Sequence, residues 1–138
     1  MSFESVENNQ IDKTDFFIDL MNNPKELEIA QVDDLNPSNN GKPNEHFFYI
    51  HFRVCETNQI VRIGFNIKLS DDGKIYIGEG AKLYPLISFV SHIRDKPINC
   101  EKSDIDELVG FKFNAKSVRR KFGAKSYFVL IPIEKGGE

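Results

Sequence analysis

Histidines, cysteines and paired acids come first, because these side chains cut, carry and coordinate. His46, His51 and Cys55 stand at i, i+5 and i+9. In a strand, alternation puts His46 on the face opposite His51 and Cys55, so the three do not converge on one metal. No CxxC or HxxxH spacing occurs. Asp71-Asp72 runs into Gly73, and Asp104 and Asp106 precede an apolar step, so turn and cap roles suit them better than a two-metal centre. Gly78-Glu-Gly-Ala-Lys82 is glycine-rich but lacks the spacing and the trailing Lys-Ser/Thr of a phosphate-binding loop. Ser, His and Asp are present without a strained nucleophile elbow. The sequence predicts no enzyme, no metal site and no cofactor.

Binding chemistry is better represented. In His46 to Cys55 (HFFYIHFRVC), Phe48, Ile50, Phe52 and Val54 share one face, and Phe47, Tyr49, His51 and Arg53 share the other. The first set is expected to point into a core. The second combines aromatic rings with a guanidinium, which stack bases and hold phosphates without reading sequence. The next run places Val61, Ile63, Phe65, Ile67 and Leu69 inward, with Arg62, Asn66 and Lys68 outward. Thr57 and Asn58 join the two runs in a hairpin, so both outward rows share one sheet surface. A plainer arrangement is that Phe16 and Phe17 of the N-terminal segment cover Phe47 and Tyr49.

Charge is unevenly placed. The 138 residues carry a net charge of −3. Residues 1–24 hold Glu4, Glu7, Asp12, Asp15 and Asp19 against Lys13 alone, whereas residues 109–125 hold Lys112, Lys116, Arg119, Arg120, Lys121 and Lys125 and no acid. A local patch, not the sum, meets phosphates. Ser117 to Lys125 (SVRRKFGAK) is expected to be a loop whose basic tip carries Phe122 beside Gly123. The bland alternative is that both charged stretches merely keep the surface wet.

The elements that must position these residues follow in order. Strands are predicted at roughly 27–34, 46–55, 59–69, 109–118 and 126–133, with a helix at about 82–93. Leu83, Leu86, Ile87, Val90 and Ile93 fall at helical spacing, and Pro85 suits a first turn. Val109, Phe111, Phe113 and Ala115 form the inward set of the fourth strand. Residues 36–44 are dense in turn formers, Lys74 to Ile77 could add a short strand, and Ser103 could cap a turn at Asp104 to Leu108. Residues 1–24 are read as acidic and largely flexible, with Asp15 to Met21 as a helical turn or a lead-in strand. A domain at 25–135 follows. Three strands, a helix and two strands make the order of an OB-fold, a five-stranded Greek-key barrel with one helix between strands three and four.

Leu83-Tyr-Pro-Leu86, Asp104-Ile-Asp-Glu-Leu-Val-Gly110 and Phe111-Lys-Phe-Asn-Ala115 together resemble a pattern in small phage and prophage proteins. These are of the single-stranded-DNA-binding or replication-accessory type. The resemblance spans roughly residues 80–133 and implies the OB-fold more than the ligand. It brings no catalytic residue.

The expected function is non-catalytic binding of single-stranded DNA, or RNA, with little sequence preference. Phe47, Tyr49 and Phe122 would stack bases. Arg53, Arg62, Lys68, Lys116, Arg119, Arg120, Lys121 and Lys125 would contact phosphates. The acidic N-terminal segment could compete for the groove or recruit a protein partner. The competing expectation is a protein-interaction OB module in a replication or recombination assembly. Two cysteines and no apolar run of membrane length fit a reducing cytoplasm, and no membrane partner is expected.

Overall fold

Aromatic and β-branched residues with a period of two dominate the middle of the chain, and there the longest strand pair forms. The computed structural model describes residues 12–38, 42, 44–78, 80–95 and 101–136. Strand β1 is Lys25–Val32, β2 Asn36–Pro37, β3 Glu45–Val54, β4 Ile60–Leu69, β5 Ile75–Tyr76, β6 Lys112–Phe122 and β7 Lys125–Lys135. Helices are α1 Lys13–Asn22, α2 Tyr84–Arg94 and α3 Lys102–Asp106. The fold is mainly β. All seven strands belong to one antiparallel sheet in the order β5-β4-β3-β1-β6-β7, with β2 paired to the start of β3.

The sheet is open. Among the described residues no ladder joins β7 to β4 or β5, so the expected closure into a barrel is not observed. The reason is that β4 has a partner on its far side only at Lys68 and Leu69, through β5, while β7 pairs only with β6. Helix α1 lies against both β4 and β6.

One face of the sheet builds the core. Leu27, Ile29, Phe48, Ile50, Phe52, Val54, Val61, Ile63, Phe65 and Ile67 are buried in register, as alternation predicts. Leu83, Leu86, Ile87 and Val90 seal the core from α2. From α1 come Phe16, Phe17 and Leu20. The Phe17 ring stacks on Phe128 at 5.3 Å, and the buried Ser117 hydroxyl donates to the Phe17 carbonyl at 2.6 Å. Asp12 caps α1 by accepting from the amides of Thr14 and Asp15. The acidic segment is thus part of the fold from Asp12 onward. The expectation for residues 1–11 lies outside the described residues. Phe16 and Phe17 cover the core face, not Phe47 and Tyr49.

Several local expectations change. Val109, placed inward from sequence, is 52 % exposed. Gly110 follows with φ 96° and gives its amide to the Ile29 carbonyl at 2.7 Å, so the chain turns before β6 begins at Lys112. The N-cap of α3 is Glu101, whose amide donates to Asp104 Oδ2 at 2.9 Å, and not Ser103. Ser117 to Lys125 is not a loop: β6 and β7 stay paired to Phe122 and Lys125 around a two-residue Gly123-Ala124 turn. Gly123 has φ 63°, which a tight hairpin turn of this length requires. Among the described residues, no helix is long and apolar enough to cross a membrane.

Candidate nucleic-acid interface

Alternation turns Phe47, Tyr49, His51 and Arg53 of β3 away from the core, beside Asn66, Gly64, Arg62 and Ile60 of β4. Tyr49 uses the missing side chain of Gly64. A Cβ at that glycine would sit 3.1 Å from Tyr49 Cε1, so the ring lies across the β4 backbone. The Arg62 guanidinium stands 4.4 Å from the centre of that ring, and Phe47 meets it edge-on at 5.9 Å. Arg62 is exposed, and both rings are half-buried. Two residues further along the same face come Asn66 and then Lys68, which pairs with Tyr76 of β5. Tyr76 is 57 % exposed. It was absent from the sequence-derived set, although buried Ile75 and Ile77 on either side of it are the period-two signal that marks it as outward.

Arg53 is committed elsewhere. Its Nε donates to Glu28 Oε1 at 2.9 Å, Nη2 contacts the same oxygen, and Nη1 donates to Asn58 Oδ1 at 2.6 Å. The hydrogen bonds to Glu28 hold its guanidinium charged even more firmly than usual. His51 Nε2 lies 3.1 Å from Asp33. Burial pushes the Asp33 carboxyl up, but the bonds from His51 and Gln31 and the charges of His51 and Arg62 outweigh it, and its pKa lies below the ordinary value. Acids therefore occupy the β1 side of this surface. Among the described residues no three His, Cys, Asp or Glu side chains gather as metal ligands.

The basic hairpin divides its cations between two faces, because its residues are on strands. Lys116 and Arg120 sit beside Ile131 and Tyr127; Arg119 and Lys121 alternate to the other side, beside Phe128 and Ser126. Arg119 places its guanidinium 4.7 Å from the centre of the Phe128 ring. Lys125 is exposed just past the turn. Phe122 ends β6, and its side chain lies outside the described residues.

Two routes could join the aromatic surface to the hairpin. One crosses β1, where Glu26 and Glu28 alternate with residues of the opposite face, so a positive groove from Arg53 to Arg120 is interrupted there. The other crosses the open seam. A cavity of about 200 Å³ at the seam is bordered by Ile63 of β4 and by Tyr127 and Phe128 of β7. Lys13 of α1 and Lys82, just before α2, complete its rim. The structure thus brings Phe47, Tyr49, Arg62 and Lys68 together. Beyond the seam Lys116 and Arg120 lie on one face of the hairpin and Arg119 and Lys121 on the other, with Lys125 just past the turn. Lys13 and Lys82 were invisible to sequence reasoning as partners, since the chain gives no local signal that residues so far apart share a cavity. In comparisons with known proteins, no family model, curated protein or solved structure matches this chain.

Proposed function

We propose that the chain is a non-catalytic, OB-type protein that binds single-stranded nucleic acid, DNA in preference to RNA. The strand order β4-β3-β1-β6-β7, with α2 between β4 and β6, supports the OB reading, since it is the neighbour order of that barrel with one seam left unpaired. The resemblance of residues 80–133 to small phage proteins agrees with it. The observation that carries the binding reading is the cluster of Phe47, Tyr49 and Arg62, continued by Lys68 and Tyr76 on one sheet surface. Aromatic side chains on a sheet surface stack bases of any sequence, and cations spaced between them meet the intervening phosphates. Arg119, Arg120, Lys116, Lys121 and Lys125 would grip the strand where it leaves the sheet. Arg53 supports the surface by fixing β3 to β1.

The test is fluorescence anisotropy of labelled oligo-dT, oligo-rU and duplex DNA across a salt series. Single strands should bind more tightly than duplex, and affinity should fall as salt rises, with a log–log slope of about −0.7 for each phosphate contact. The Arg119→Ala/Arg120→Ala double variant should flatten that slope. Absence of binding at tens of micromolar protein in low salt would overturn the proposal.

A second reading, a protein-interaction module of a replication or recombination assembly, draws on a different region. Arg94, Lys112 and Lys135 surround a cavity of about 380 Å³ walled by Phe111 and the exposed Val109. Cations around apolar side chains suit an acidic peptide with hydrophobic anchors. Binding of such a peptide without oligonucleotide binding would favour this reading.

A further inference from the structure

We infer that the open seam between β4 and β7 is a receptor for a phosphate monoester, supplied, if the nucleic-acid reading above is right, by a phosphorylated end of the bound strand. The seam cavity is lined by Lys13 and Thr14 from the first turn of α1, by Lys82, by Ile63 and by Tyr127 and Phe128. Its volume of about 200 Å³ suits a compact head group with the first atoms of what it is attached to. Two lysines, Lys13 and Lys82, are part of its lining, and among the described residues neither is held in an ion pair.

The charge balance selects the ligand. A terminal phosphate carries about −1.5 to −2 at pH 7, whereas an internal phosphodiester carries a single charge. Two facing lysines match the former. Burial, and then the charge of Lys13, hold the Lys82 pKa below the ordinary lysine value. A dianion between the two ammonium groups relieves their repulsion. Thr14, Tyr127 and Phe128 complete the lining together with Phe17 and Ile63. This places a terminus-recognising pocket between the aromatic surface of β3 and β4 and the basic hairpin, at the point where a strand crossing the seam would begin or end.

The experiment compares oligo-dT phosphorylated at its 5′ end, phosphorylated at its 3′ end and unphosphorylated, with inorganic phosphate as a separate probe followed through the NMR shifts of the lysine side chains. One phosphorylated oligonucleotide should bind about tenfold tighter than the unphosphorylated one. That gain should vanish in Lys82→Gln and shrink in Lys13→Gln, both of which keep the wild-type melting temperature. Inorganic phosphate should shift Lys82 ahead of the other lysines. Equal affinities with no selective shift at Lys82 would overturn the pocket and leave single-strand binding standing. A phosphorylated-end preference that survives both lysine variants would also overturn it. A selective Lys82 shift with no binding of any oligonucleotide would support the phosphate pocket and overturn the nucleic-acid reading instead.

Discussion

Single residues on the outer sheet face divide into those that hold the protein together and those left for a ligand. Arg53 belongs to the first kind. Its bonds to Glu28 are half-buried and that to Asn58 is exposed, so Arg53→Ala strands a carboxylate and should cost about 1 kcal/mol, between an exposed and a buried pair. Urea denaturation should show this as a lower midpoint, while oligo-dT affinity changes by less than roughly threefold. Tyr76 belongs to the second kind. Exposed and cross-strand from Lys68, it should contribute one stacked base, so Tyr76→Ala should weaken oligo-dT binding by about 1–3 kcal/mol. Its melting temperature should not move. Unchanged affinity in that variant would remove Tyr76 from the surface. The difference between these residues was only half legible. Alternation in HFFYIHFRVC announced that Arg53 faces outward, but not that Glu28 of another strand would be waiting for it.

At the scale of elements, the core faces of β3 and β4 and the helical face of α2 were readable because their period is local: each buried residue announces its neighbour two or three positions away. Edges are not readable in this way. Whether β7 reaches β4 depends on sheet curvature, and register shifts that leave Ala30 of β1 and Ile133 of β7 unpaired bend the strands there. The basic hairpin shows a related failure. Its density of Arg and Lys resembled a loop, yet Val118, Val129 and Ile131 were enough to extend the ladder to the tip, which distributes the cations over two faces. Helix α1 was the least certain element and is among the best anchored. Ser117→Ala removes the buried hydroxyl that donates to Phe17 and should lower stability by about 1 kcal/mol. Phe17→Ala also empties the space against Phe128 and should cost about 3–5 kcal/mol. Chemical denaturation of both variants checks that α1 is held by packing more than by this bond.

For the whole molecule, the acid response can be signed. Asp19 is held below the ordinary carboxylate value by its bond from Asn23 and by Lys25, Asp72 by Ser70 and the Lys74 amide, and Asp33 as described. A carboxylate whose folded pKa is depressed contributes stability that is complete above its unfolded value and is lost as pH falls through the folded one. Stability should therefore hold steady down to the ordinary value of 3.8 and fall below it, which a series of thermal melts on the acid side of neutrality would read out. Asp33→Asn should blunt that fall. The sheet also has a narrow waist. Strand β1 meets β6 through only the pairs Lys25–Ala115 to Glu28–Lys112, extended by the two backbone bonds between Ile29 and residues 110 and 111. Within the sheet, the strands on one side of this junction form sequence-local hairpins, and so do β6 and β7 on the other. The junction joins segments more than eighty residues apart in sequence, and it must wait for the loops between them to close. It follows that the two halves can form early and separately, that their docking along β1 sets the refolding rate, and that amide protons of β6 and β7 should exchange with solvent as one group, sooner than those shared by β3 and β4.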